Sequence, residues 1–240
     1  MKNNLLLILA ISLTLFSCAQ TSDWRTASNE SAKIAPLPSE EKEAIVQVYA
    51  AKTYSWRGHF SVHSWIATKG KNAAEYTTYH VIGWRLRSEQ SVVREEHDVP
   101  DRRWYGAMPS IVASYKGKEA EDMIPFIQAA SKNYPYPNEY RAWPGPNSNT
   151  YISHIIRSTP GMGVELPSNA IGKDWIPSGN VVAFSETKTG VQFSLLGALG
   201  FTLGLGEGIE VNLLGLSFGV DFLRPALKLP MVGRLGMADQ

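Results

Sequence analysis

Trp143-Pro-Gly-Pro-Asn-Ser-Asn-Thr150 constrains this chain more than any other stretch, because a rigid Pro/Gly turn runs there straight into an amphipathic segment. Pro144, Gly145 and Pro146 cannot continue a helix. Asn147 and Ser148 are residue types that cap one, by accepting a hydrogen bond from an unpaired N–H of the first turn. The spacing predicts a helix from about Ser148, ended by Pro160-Gly-Met-Gly163, with Ser148, Ile152 and Ile155 near one face. A hydroxyl held at such a helix start is either a cap or a nucleophile.

The chain opens on Met-Lys-Asn-Asn, followed by an almost wholly apolar run from Leu5 to Phe16 and then Ser17-Cys18. This is the layout of a signal peptide, too short for a stable membrane span. Residues 1–17 are expected to be removed, 18–40 to form a polar tether, and 41–240 to make one globular domain. Cys18 is the single cysteine of the 240 residues. A disulfide, a cysteine metal ligand and a thiol nucleophile are therefore not expected in the folded body. The net charge of +1, with no long basic run, lacks the electrostatic footprint of a nucleic-acid binder.

Ile45–Tyr49, Gly58–Lys69, Thr77–Arg87 and a segment starting at Ser91 read as strands of an antiparallel sheet, and Glu119–Ala130 as a helix. After Gly190 the chain turns glycine-rich and apolar, and paired strands in a β-hairpin extension are expected. Its leucines and phenylalanines exceed what one alternating face needs. Either both faces are buried, which is the first reading, or one face is an apolar surface for membrane or partner. Gly204, Gly206 and Gly208 lack the helix and lysine of a phosphate loop, and no cofactor is expected. His59 and His63, four apart on a strand, would stand about 13 Å apart, too far to share a metal. His63, beside Trp65, is the better candidate base. His80 either orients it or fills core.

Val62-His-Ser-Trp-Ile66, Tyr79-His-Val-Ile-Gly-Trp84, Tyr134-Pro-Tyr-Pro137, the Trp143–Thr150 run and Val211-Asn-Leu-Leu-Gly215 together resemble a bacterial family, domain of unknown function 3750. The order of a strand histidine and a later Asn147-Ser148-Asn149-Thr150 also resembles permuted papain-like proteins of the NlpC and lecithin retinol acyltransferase type, with Ser148 where that superfamily keeps its cysteine. Leu15-Phe-Ser-Cys18 resembles the lipobox of bacterial lipoproteins.

These resemblances imply an α+β fold: an antiparallel sheet packed on a few helices around a permuted papain-like core. They imply an outer-membrane lipoprotein facing the periplasm, acylated at Cys18. Two activities stay open. In one, Ser148 is a nucleophile and His63 its base, with His80 as third group, in a hydrolase or acyltransferase acting on cell-envelope peptide, amide or lipid. In the other, the groove is non-catalytic or binds lipid or a protein partner. Asn147, Asn149, Trp65, Trp143 and Tyr136 are the expected binding residues. The dyad reading places Ser148 and His63 within about 3 Å, or one water, of each other.

Overall fold

A computed structural model describes residues 23–237, so the signal peptide and Cys18 lie outside the described residues. The described residues form two antiparallel sheets and two α-helices. The first sheet contains β1 (Ile45–Lys52), β2 (Val62–Lys69), β3 (Thr77–Val81), β4 (Val93–His97) and β5 (Ser110–Lys116) in the order β4-β3-β2-β1-β5. The helices are α1 (Lys118–Lys132) and α2 (Ser148–Ser158). The second sheet is a seven-stranded meander: β6 (Val182–Phe184), β7 (Gly190–Leu195), β8 (Leu199–Gly204), β9 (Gly208–Leu213), β10 (Leu216–Asp221), β11 (Ala226–Leu229) and β12 (Gly233–Gly236). The α+β class is as the sequence implies.

Side chains of β1 and β2 are buried on both faces of the first sheet. Val46, Val48, Val62, Ile66 and Tyr79 pack with Ile127, Tyr151, Ile152, Ile155 and Ile156 of the helices, each fully buried aliphatic contributing roughly 2 kcal/mol. The other face carries Ile45, Tyr49, Trp65 and Ala67 and is covered by Ile34, Trp104, Tyr105 and Ala107. Period two along β2 therefore sends Val62, Ser64 and Ile66 to the helices, and His63 and Trp65 the other way.

Several expectations are corrected. Gly58–Val62 is not continuous strand: Ser55–His59 is a 3-10 turn, so His59 is an exposed turn residue and shares no strand face with His63. The third strand stops at Val81, where Gly83–Ser88 forms another 3-10 turn, and glycine is required at 83 because a Cβ there would fall 2.5 Å from the packed Tyr140 ring. Residues 18–40 are not tether throughout. Ser31, Ile34 and Ala35 hydrogen-bond the buried Asp101 carboxylate, and Pro36 accepts from Tyr76. The glycine-rich extension is seven strands, not a hairpin, and its apolar side chains are not buried. Phe193, Phe201, Leu203 and Val211 are exposed, while Gln192, Ser194, Thr202, Glu210 and Asn212 face inward.

Candidate functional site

Asn147 caps α2. Its Oδ1 accepts from the backbone N–H of Asn149 (2.9 Å) and Thr150 (3.2 Å), and the Thr150 hydroxyl returns an acceptor to the Asn147 N–H at 3.2 Å. The reciprocal pair satisfies donors that a helix start otherwise leaves orphaned. The same side chains reach outward. Asn147 Nδ2 donates to the carbonyls of Ala142 and Ile171, and Thr150 donates to that of Gly172. Asn149 Nδ2 donates to the carbonyls of Val62 (3.0 Å) and Ile171 (2.8 Å), while its Oδ1 accepts from Ser64. Three side chains thus tie β2, the Trp143–Pro146 turn and the 169–173 loop to one helix end. Gly172, at φ +101°, lies so close that a Cβ would fall 2.4 Å from Asn147 Oδ1.

Ser148, the first residue of α2, is buried, and among the described residues no hydrogen bond joins it to an imidazole. His63 points from β2 into the opposite face, where its ring stacks on Trp104 at 3.6 Å between centroids. The expected Ser148–His63 dyad is therefore not assembled: the residue of β2 that meets the α2 motif is Ser64. His80 does stand beside His63, with ring centroids 6.0 Å apart, but on that same far face. His80 Nε2 lies 3.5 Å from Glu96 Oε1 without hydrogen-bond geometry, and neither imidazole Nε2 has a hydrogen-bond partner among the described residues. Burial holds His63 well below the ordinary histidine range and His80 down to about 4, the latter helped by Arg94 and Arg102. Both rings are neutral at physiological pH.

Trp65 donates to Pro100 O at 2.7 Å on the histidine face, so it does not line a groove with Ser148. Trp143 is half exposed and donates to Leu214 O at 2.7 Å, joining the turn to the second sheet. Tyr136 accepts from the Trp175 indole at 3.3 Å.

A second cluster, unread in the sequence, lies beneath the seven-stranded sheet. Lys173 Nζ contacts Glu210 Oε2 at 2.8 Å and Asp174 Oδ1 at 3.1 Å. Asp174 also accepts from Gln192, Asn212 and Ser217. Lys228 pairs with Glu165 (2.5 Å) and lies 3.4 Å from Glu210. Burial would raise Glu210, but Lys173 and Lys228 hold it below the usual carboxylate range; burial and the Glu210 charge push Glu165 well up. The only sequence signal was polar residues at alternate positions of β7–β11. No group of His, Cys, Asp and Glu among the described residues could hold a metal ion.

The model of the family described as Protein of unknown function (DUF3750) matches residues 43–175, more than half of the chain. The chain belongs to that family. The DUF3750 match covers the first sheet, both helices and the Asn147 keystone, and stops before β6. No curated protein and no solved structure matches the chain.

Proposed function

We propose that this DUF3750 protein is a lipid-anchored lipoprotein of the cell envelope, outer-membrane and periplasm-facing, that acts as a non-catalytic binding module. Cys18 carries the anchor, and the papain-like order of motifs is retained as architecture, with Ser148 in a structural setting where that superfamily has a nucleophile. One observation carries this reading. His63 and His80 face away from α2, so neither can take the proton that a serine must lose on attack. The side chains of its neighbours Asn147, Asn149 and Thr150 are engaged in bonds that hold the fold.

A fluorophosphonate probe tests it. The purified protein should remain unlabelled, and Ser148→Ala should fold with near wild-type stability. Labelling that Ser148→Ala abolishes would overturn the reading in favour of a serine-variant hydrolase or acyltransferase. Palmitate labelling that fails on the wild-type chain would separately remove the anchor.

A further inference from the structure

The seven-stranded sheet is inside out. Between Gly190 and Met237 every charged side chain (Glu207, Glu210, Asp221, Arg224, Lys228, Arg234) is buried or half-buried, and the remaining polar ones are buried. Each exposed position is apolar, glycine or proline. Even the half-buried arginines fold back, Arg234 Nη2 reaching Asp221 Oδ2 at 2.8 Å and Arg224 Nε the same oxygen at 3.5 Å. Seven strands about 4.8 Å apart and about 20 Å long make a face of roughly 600 Å² in projection. That is already at the top of the range a monomer leaves in water.

We propose that this face docks flat on a lipid bilayer, its side chains in the interfacial layer of one leaflet. A protein partner is the weaker fit, because protein interfaces surround an apolar centre with a polar rim carrying about one hydrogen bond per 100–200 Å². Here the exposed rim offers Lys188 and Thr189 at the β6–β7 turn, and from Gly190 to Met237 no exposed polar side chain to make one. The turns agree. The β7–β8 and β9–β10 connections place Leu196 (φ 50°) and Leu214 (φ 53°) in the left-handed region before Gly197 and Gly215. A water-facing hairpin of this kind takes Asn-Gly there, so these tips favour apolar surroundings over turn propensity.

Spanning is excluded by length and by edges. The longest strands of this sheet have six residues, against the nine to eleven a crossing strand needs, and among the described residues β6 and β12 are open edges whose backbone groups cannot sit in hydrocarbon. Trp143, half exposed and bonded to the Leu214 carbonyl, stands at the rim, a position suited to the headgroup boundary. The described chain starts five residues after Cys18, at most about 18 Å of extended backbone. On the anchoring reading above, this keeps the sheet at high effective concentration beside the bilayer.

The test uses the mature chain carrying Cys18→Ala, which has no anchor, so flotation with phosphatidylethanolamine/phosphatidylglycerol vesicles reports the sheet alone. The expected result is co-flotation that falls at least ten-fold in Phe201→Asp and Val211→Asp. A single-cysteine variant, Leu203→Cys in the same background, carries an environment-sensitive dye in place of a charge and so guards against misfolding. Its emission should shift blue on adding vesicles, while the same dye at Lys118→Cys on α1 should not move. Absent flotation with no shift at Leu203 overturns the proposal. So does a stable dimer that ignores vesicles and is split by Val211→Asp, which would give the face to a second copy. Palmitate labelling of the wild type reads the anchor separately, so failure of one does not mimic failure of the other.

Discussion

Lys173→Met should cost about 3 kcal/mol at pH 7, and the size of the loss should depend on pH. The lysine is fully buried between Glu210 and Asp174. Removing one partner of a buried ion cluster typically costs 3–5 kcal/mol, because the survivors keep their charge without compensation. Asp174 retains Gln192, Asn212 and Ser217 as donors, so most of the loss falls on Glu210, whose remaining cation is Lys228 at 3.4 Å. Neutralising a carboxyl of ordinary pKa 4.5 at pH 7 costs about 2.5 units at 1.36 kcal/mol each. Protonation therefore caps the loss near 3.4 kcal/mol.

In the variant Glu210 is raised in the folded state, so its protonated form matches the unfolded chain at low pH and the deficit grows as pH rises above 4.5. Urea unfolding of wild type and variant, followed by tryptophan fluorescence, should give a difference of about 3 kcal/mol at pH 7 shrinking below about 1 kcal/mol at pH 5. Adding Glu210→Gln to Lys173→Met should recover most of it. A deficit under 1 kcal/mol, or one flat across that pH range, would refute the argument, since the cluster would then be hydrated.

The two buried imidazoles should make the protein acid-labile. His80 binds its proton at about 4 when folded and near 6.5 when unfolded, so stability is full above 6.5 and falls as pH drops through this window, by about 3 kcal/mol for His80 alone; His80→Gln should flatten that slope in an acid melt. Gly172→Ala combines a left-handed backbone with displacement of the Asn147 cap, and should lose about 2 kcal/mol or more. Gly106→Ala, where φ is +85° and the space is open, should lose only the strain, which paired thermal melts would separate.

Periodicity and capping chemistry carried the first half of the chain. The α2 start at Ser148, β1 and α1 were legible within a few residues, because Pro/Gly breaks and acidic first turns are local signals, whereas β2 was read from four residues too early and β3 six residues too long. β5 was not: Ser110–Lys116 is held by pairing with β1 across a long separation, which no local pattern announces. The site failed on parity. A strand histidine one residue from the helix-facing Val62 and Ser64 belongs to the other face, and alternation alone does not say which face the helix will cover. Water poses the same ambiguity in β7–β11, where period two was visible in the residues but the core-facing set turned out to be the polar one.

The two sheets also differ in how far apart their partners lie along the chain. Ile45 pairs with Lys116 across 71 residues, whereas Gly190 pairs with Gly204 across 14. Closing the longer loop costs about 1.4 kcal/mol more in chain entropy, and non-local pairing slows folding. The meander can zip up hairpin by hairpin while β1 still waits for β5. The seven-stranded sheet thus needs no distant segment to pair its strands, and its Glu210 and Lys228 meet Lys173 and Glu165 of the body where the two parts join.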